Sequence, residues 1–141
     1  MKRKSLAEEL WKLIVRIHIA VYRRLGGVGK HTILLTTTGR KSGQSRTRAL
    51  YAVKDGDDYV VIASYGGAPQ HPDWYLNLLA NPHATVEDHG HTISAIARTV
   101  EDEEERQQLW AKMTAIYAPY DDYQKRTNRK IPVVLLSPQM S

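Results

Sequence analysis

The fold class is decided by residues 31–64, which read HTILLTTTGRKSGQSRTRALYAVKDGDDYVVIAS. Apolar and β-branched residues alternate with polar ones in three short runs, a pattern that predicts strands at His31–Thr38, Arg46–Val53 and Asp58–Ser64. The Asp55–Gly56 pair between the second and third runs favours the positive φ angles of a tight hairpin turn. The three strands are therefore predicted to be antiparallel neighbours.

The chain after residue 64 adds three predicted strands and two predicted helices. Proline in the first turn and Asp73 near the positive end predict a helix from about Pro72 to Ala80. The acidic run Asp102–Glu105 opens another helix, which Pro119 interrupts. The remaining strands are Ala84–Asp88 and Thr92–Arg98, which form a hairpin around His89–Gly90, and Ile131–Leu136. Since most connections are too short for parallel crossovers, we predict an α+β fold, a six-stranded antiparallel barrel with flanking helices.

The N-terminal segment, residues 1–28, is predicted to form an amphipathic helix. Ser5–Glu8 fits a capping box, and the helix is expected to run to about Arg24, where a glycine-rich stretch ends it. Its apolar positions recur at helical spacing and are Leu6, Leu10, Leu13, Ile14, Ile17 and Val21. Such a helix packs on the core or, alternatively, contacts an anionic membrane surface through its basic flank.

Composition limits the classes of function. With 141 residues and 42% apolar content, the chain is expected to form one domain, residues 1–141, around a single core. It contains no cysteine, which excludes disulfides, thiolate nucleophiles and cysteine-bound metals. No apolar run reaches the ~20 residues of a membrane-spanning helix, and no signal peptide is recognisable. A cytoplasmic protein is expected, with membrane association left open to the N-terminal helix.

The formal net charge of +5 favours an anionic ligand or surface among the partners. Nucleic acid is not favoured, because the basic residues are not interleaved with aromatic ones and no nucleic-acid-binding motif occurs. The six histidines lack the spacing of a metal site, so no metal is expected. A serine hydrolase is not favoured either, since there is no Gly-x-Ser-x-Gly elbow. The chemistry is left to hydroxyls, imidazoles, charges or a bound cofactor.

The loop Gly39–Arg46, which reads GRKSGQSR, is the first candidate binding site. Two glycines let its backbone bend, three cations flank the bend, and two hydroxyls and an amide add donors. Phosphate or carboxylate is the ligand that this chemistry favours. The loop is not a Walker motif, because its lysine precedes the second glycine and no helix follows directly. The alternative is an exposed basic hairpin tip without a ligand.

The stretch Ala63–Ala68 is the second candidate. Bare backbone at Gly66 and Gly67 would let a flat ring approach closely, with Ser64 as a hydrogen-bond partner. A plain strand-to-helix turn explains the same glycines equally well.

Three tyrosines, Tyr117, Tyr120 and Tyr123, form the third candidate. Their spacing keeps them on one face of a helix, unless Pro119 breaks that geometry. They are either core and rim residues, or an aromatic wall over a substrate in which one phenol donates a proton.

Together these stretches resemble the actinobacterial deazaflavin-dependent nitroreductase family, which belongs to the split β-barrel flavin and deazaflavin oxidoreductases. The matching stretches are LLTTTGRKSGQSR at Leu34–Arg46, ASYGGAPQHPDWYLNLLANP at Ala63–Pro82, and Tyr117–Pro138 with its tyrosines, Gln124, Arg126–Thr127 and Ile131–Val133. The resemblance implies a six-stranded antiparallel split β-barrel, and it covers the chain from about Ile33 to Pro138.

The resemblance also implies a cofactor, coenzyme F420, a 5-deazaflavin with a phosphate and oligoglutamate tail. In its reduced form, F420H2, this cofactor donates a hydride to an enone, a quinone or a nitroaromatic compound. The cofactor-binding residues implied are Arg40, Lys41, Ser42, Gly43, Gln44, Arg46 and Tyr51 on the tail side, and Ala63, Ser64, Gly66, Gly67, Pro72, Asp73 and Trp74 around the ring. The substrate-pocket and catalytic residues implied are Tyr117, Tyr120, Tyr123 and Ser64. Two alternatives remain, a non-catalytic F420-binding or storage protein and an FMN-binding oxidase of the same barrel superfamily.

Overall fold

The structure, a computed structural model, describes residues 6–24 and 29–139. Its first helix, α1, runs from Leu6 to Arg24, as predicted. Ser5 of the predicted capping box lies outside the described residues. From Leu6 to Ala20 only Val15 and Ile19 are half-buried, and the other side chains are exposed. α1 therefore touches the rest of the chain along one narrow strip.

The remaining elements follow the predicted order. The strands are β1 Thr32–Thr38, β2 Ser45–Tyr51, β3 Val53–Asp55, β4 Asp58–Ile62, β5 His83–Asp88, β6 His91–Thr99 and β7 Val133–Pro138. The helices are α2 Asp73–Ala80, α3 Glu103–Ile116 and α4 Tyr120–Lys125, and a 3₁₀ turn covers Tyr65–Gly67. All seven strands join one antiparallel sheet in the order β2-β1-β5-β6-β7-β4-β3. The α+β class and the antiparallel barrel architecture are confirmed.

The structure has seven strands where the sequence predicted six, because the predicted strand Arg46–Val53 breaks at Ala52. The side chain of Ala52 is buried, and its amide donates to the carbonyl of His31 at 2.8 Å. β2 before the break pairs with β1, and β3 after it pairs with β4. Since these consecutive strands lie at opposite ends of the sheet order, the sheet curls until its two ends approach.

Apolar side chains fill both faces of the curled sheet. β7 shows this most clearly, because its four apolar residues alternate between two clusters. Val134 and Leu136 join a cluster with β1, β4 and α2, whereas Val133 and Leu135 join one beneath α3. A continuous apolar run is what a strand covered on both faces requires.

The end of α3 places the tyrosines. α3 begins where the Asp102 carboxylate accepts from the Glu105 amide at 2.9 Å, and it ends at Ile116. Tyr117 follows in a non-helical conformation, and Pro119 precedes the first turn of α4. The predicted break at Pro119 is therefore confirmed, and Tyr117 projects from the corner between two helices.

Candidate active site

The loop between β1 and β2 is tightly folded on itself. The Gly39 amide donates to the Gln44 carbonyl at 2.7 Å, and the Gly43 amide donates to the Gly39 carbonyl at 2.8 Å. Ser42 Oγ accepts from the Gln44 amide at 3.2 Å, and Gly43 has a φ of +72° that favours glycine. These three amides bond inside the loop and are not available to an anion, whereas the side-chain cations of the loop can meet one.

Arg40 differs from the other two cations of this loop. Its guanidinium donates to Asn77 Oδ1 at 2.9 Å and to Asp73 Oδ1 at 3.2 Å, which ties the loop to α2. Asn77 is only 3% exposed. Lys41 and Arg46 are exposed, and neither forms an ion pair with any residue that the structure describes. They are the two cations of the loop that remain available to a ligand.

The turn after β4 has an open side and a covered side. Tyr65, Gly66 and Gly67 have φ angles of 46°, 61° and 80°. A Cβ on Gly66 would meet no atom within 4 Å, whereas one on Gly67 would lie 2.7 Å from the Tyr123 carbonyl oxygen. Gly66 thus leaves room for a flat ring, but the bare side of Gly67 is occupied by α4.

The neighbours of this turn are mostly buried. Ala63 and Trp74 lie in the main core, and Pro72 is also buried, so these side chains support the turn and are shielded from a ligand. Ser64 is half-buried, and its hydroxyl does not cap the turn. Of residues 72–74, only the Asp73 carboxylate is exposed, and it is shared with Arg40.

The three predicted tyrosines do come together, joined by Tyr51. The Tyr117 and Tyr123 hydroxyls are 2.7 Å apart, and the Tyr51 ring centroid lies 4.9 Å from that of Tyr117. The hydrogen bond with Tyr123 raises the pKa of the Tyr117 phenol, and burial adds to the shift. Burial is the main cause that raises the pKa of Tyr120, which is only 5% exposed. The phenols of Tyr117 and Tyr120 are therefore protonated at neutral pH, and Tyr120 is mainly a packing residue.

Contacts link the three candidate stretches into one surface. Arg40 joins the β1–β2 loop to Asp73 at the start of α2. Gly67 joins the following turn to Tyr123 on α4. Tyr117 joins that corner back to the end of β2 through Tyr51.

Comparison with known proteins identifies the family. The family model for F420H2-dependent quinone reductase matches residues 14–138. The chain belongs to the F420H2-dependent quinone reductase family. It is 38% identical over 133 residues to an F420H2-dependent quinone reductase of Mycobacterium tuberculosis, covering 88% of this chain and 89% of that protein.

Solved structures agree with this assignment. A chain titled F420H2-dependent reductase (FDR-A) has a TM-score of 0.70 at 40% identity, over 79% of this chain and 100% of that chain. Another, described as a domain-swapped dimer, has a TM-score of 0.73 at 35% identity, over 86% of this chain and 96% of that chain. The predicted split barrel is confirmed. F420 is the cofactor of this reductase family, and the protein is an oxidoreductase.

The residues of this reductase fit such a cofactor. A polyanionic tail requires exposed cations, which Lys41 and Arg46 supply, and a deazaflavin ring requires uncovered backbone, which Gly66 supplies. β2 runs from Ser45 beside the cations to Tyr51 beside the other tyrosines, a span of about 20 Å. The site is therefore elongated, as the cofactor is.

One residue of this reductase that sequence reasoning missed is Arg129, in the connection between α4 and β7. Its guanidinium donates to the carbonyls of Ala63, Ser64 and Ala68, and to His71 Nδ1. No sequence pattern separates this arginine from Arg126 or Lys130, since all lie in a short polar stretch. Only the fold shows that its side chain bonds the backbone of the glycine turn.

Two surface cavities of about 220 and 280 Å³ share Tyr75 and Thr99 as lining residues. None of the sequence-predicted site residues lines either cavity. Within residues 6–24 and 29–139, no cluster of histidine or acidic residues could hold a metal ion, and no helix is long and apolar enough to cross a membrane. The candidate site of the reductase lies at the surface, where Lys41, Arg46, Tyr51 and Gly66 are exposed.

Proposed function

We propose that this reductase passes a hydride from F420H2 to a quinone, or to an enone or nitroaromatic compound, held over the Tyr117–Tyr123 pair. One observation carries the proposal. The turn with the uncovered Gly66 packs on α4, which carries Tyr123 of the phenol pair, and the chain then leads into α2, to which Arg40 ties the loop with two available cations. When bound, the reduced deazaflavin supplies the hydride, and the protein supplies placement and a proton.

The cations would hold the cofactor through its tail. Lys41 and Arg46 would bind phosphate and carboxylate groups by charge-assisted hydrogen bonds. Arg40 would act on the same loop indirectly, because its contacts with Asn77 and Asp73 fix the loop against α2. Ser64 and Gly66 would border the ring, since Gly66 is exposed and Ser64 is only half-buried.

The tyrosine pair would deliver the proton. In the Tyr117–Tyr123 hydrogen bond one phenol donates and the other accepts, so one phenolic proton remains free for the acceptor molecule. A quinone that takes a hydride on one atom and this proton on an oxygen becomes a hydroquinone. The deprotonated phenol then regains its proton from water.

A cofactor titration tests the tail assignment. Replacing Lys41 or Arg46 with alanine should weaken F420 binding by about 1–3 kcal/mol each, because each change removes one charge-assisted contact. Binding is measured from the deazaflavin fluorescence. Lys112→Ala is the matched control, since Lys112 is a half-exposed lysine paired with Asp55 away from the loop. Equal affinities for all four proteins would contradict the assignment, and no saturable binding by the wild type at micromolar F420 would overturn the proposed function.

Turnover separates the alternatives. An F420-binding or storage protein would bind the cofactor but reduce no member of a panel of quinones, enones and nitro compounds. An FMN oxidase would retain a yellow flavin through purification, and its turnover would not require F420H2.

Contact of α1 with an anionic membrane surface, which the sequence offered only as the alternative to packing on the core, stays a prediction. Its support is the set of exposed apolar side chains on that helix, which are Leu6, Leu10, Trp11, Leu13, Ile14 and Ile17.

A further inference from the structure

We propose that Arg129 is a positioning residue, which fixes the conformation of the turn 63–68, the turn that would receive the deazaflavin ring. Arg129 is half-buried and contacts the turn through backbone carbonyls, so it would act through Ser64 and Gly66. The effect of Arg129 on catalysis rests on the proposed function, whereas its effect on the conformation of the turn is independent of that function.

The guanidinium of Arg129 holds both ends of the turn at once. Nη2 donates to the Ser64 carbonyl at 2.6 Å and Nη1 to the Ala63 carbonyl at 3.2 Å, where the turn begins. Nε donates to the Ala68 carbonyl at 2.8 Å, where the turn ends. Because the guanidinium is planar and rigid, these bonds fix the distance between the two ends.

The turn requires such a clamp. Tyr65, Gly66 and Gly67 lie consecutively in the left-handed region, and for Tyr65, which carries a Cβ, this conformation is strained. Inside the turn the only backbone bonds that the structure describes are Gly67 amide to Ser64 carbonyl and Ala68 amide to Tyr65 carbonyl, at 2.9 and 3.0 Å. The three bonds from Arg129 to backbone carbonyls therefore add to two internal backbone bonds in holding the turn.

Arg129 is itself held in place by Gln124 on α4. Gln124 Nε2 donates to the Arg129 carbonyl at 2.8 Å, and Gln124 Oε1 accepts from the Ile131 amide at 2.9 Å. The Arg129 amide also donates to Thr127 Oγ1 at 3.2 Å. The backbone that carries Arg129 is therefore fixed to the same helix that carries Tyr123, so the turn and the tyrosine pair share one support.

Arg129 also sets the protonation state of His71. A guanidinium can only donate, so His71 Nδ1, 3.1 Å from Nη1, must accept and carry no proton. Burial lowers the pKa of His71, and the positive charge of Arg129 lowers it further. At neutral pH His71 is thus the neutral tautomer with its proton on Nε2.

The first test uses the unaltered protein and no cofactor. Nitrogen-15 spectra of His71 should show the Nε2–H tautomer at pH 7. A proton on Nδ1 would overturn the proposed contact, whether or not any variant folds.

The second test compares Arg129→Lys and Arg129→Gln with Arg98→Lys, a control at a surface arginine paired with Glu105. Lysine has one donor centre and cannot reach both ends of the turn. Amide hydrogen exchange at Gly67 and Ala68 should accelerate by about tenfold or more in both Arg129 variants and stay unchanged in the control. Unchanged exchange in a folded Arg129 variant would overturn the inference.

Turnover then shows whether the turn matters for the reaction. With saturating F420H2 and acceptor, kcat should fall by about tenfold or more in Arg129→Lys, since a small displacement of reacting groups is costly. The F420 dissociation constant should change less than about threefold, because Lys41 and Arg46 are intact. A merely structural role would lower only the folded fraction, and kcat per folded molecule would then equal that of the control. If the wild type neither binds F420 nor turns over, the proposed function fails, while the exchange data still decide whether Arg129 holds the turn.

Discussion

Tyr120 and Tyr123 lie three residues apart on one short helix, yet their surroundings give them different chemistry. The Tyr120 ring packs between those of Tyr117 and Trp110, with centroids 5.0 and 6.3 Å away. The Tyr123 hydroxyl instead reaches the Tyr117 hydroxyl, and the Arg126 guanidinium lies 5.4 Å from its ring centroid. A phenol that bonds another phenol at an accessible surface can pass a proton, whereas a buried one mainly fills space.

Removing single hydroxyls tests this division. Tyr117→Phe and Tyr123→Phe should each lower kcat by about 10²-fold or more, the usual contribution of a positioned general acid. Tyr120→Phe is the matched control and should retain most of the activity, because its ring stays in place. If Tyr117 alone donates to the acceptor, Tyr123→Phe will show the smaller loss. Steady-state rates with one quinone at saturating F420H2 decide the case, and a loss confined to Tyr120→Phe would contradict the assignment.

At the level of elements, the site depends on how closely the 3₁₀ turn packs against α4. Gly67 has no side chain, and this allows the Tyr123 carbonyl to lie only 2.7 Å from where a Cβ would be. Gly66, one residue earlier, has a similar positive φ but faces open space. A substitution at Gly66 therefore carries only the cost of the positive φ, whereas one at Gly67 carries that cost and a steric clash as well.

We expect Gly67→Ala to destabilise the protein more than Gly66→Ala. Both changes carry a conformational cost of about 1 kcal/mol, because alanine resists positive φ. Gly67→Ala adds a clash with α4 of about 1–3 kcal/mol. Urea unfolding of both variants measures the difference in the free energy of unfolding. Equal free energies would mean that α4 moves freely away from the turn.

At the level of the whole molecule, side-chain hydrogen bonds around Asp88 and His89 connect parts of the chain that are not neighbours in the sheet. The Tyr59 hydroxyl on β4 donates to Asp88 Oδ2 at 2.6 Å, although two strands separate β4 from β5 in the sheet order. His89 lies 2.6 Å from Asp88 Oδ1 through Nδ1 and 2.9 Å from the Gly29 carbonyl through Nε2. Since both acceptors lack a proton to give, His89 makes both bonds only as the imidazolium.

The stability that His89 contributes should therefore depend on pH. The hydrogen bond to Asp88 raises the pKa of His89, and the bond to Gly29 adds to the shift. Burial raises the pKa of Asp88, but its bonds with His89 and Tyr59 outweigh this and lower it. The contribution of His89 is thus fully present below its unfolded pKa of 6.5 and is lost as pH rises through the higher folded value.

His89→Asn tests this dependence, because asparagine tolerates the positive φ of 48° at this position but cannot be protonated. The difference in the free energy of unfolding between wild type and variant should shrink as the pH rises from 6 to 9. A constant difference for His89→Asn would show that the imidazolium is not needed.

Local patterns predicted most of the elements, because each depends on neighbouring residues. The structure confirms the helix that the acidic run opens, the hairpin around His89–Gly90 and the strand predicted from the last apolar run. The break at Ala52 was missed, since the alternation continues across it and only the curvature of the sheet requires it. The sequence also did not show that the amides of Gly39, Gly43 and Gln44 bond within the β1–β2 loop, because no spacing reveals such a preference.

The sequence by itself determined the fold class, the family and the three stretches that form the candidate site, because strand periodicity, turn residues and motifs are local and can be read along the chain. The tertiary structure decided how those residues act. It turned Arg40 toward α2, buried Tyr120 while pairing Tyr117 with Tyr123, and bonded Arg129 to the backbone of the glycine turn. These outcomes depend on contacts between residues far apart in the chain, which exist only once the sheet has curled.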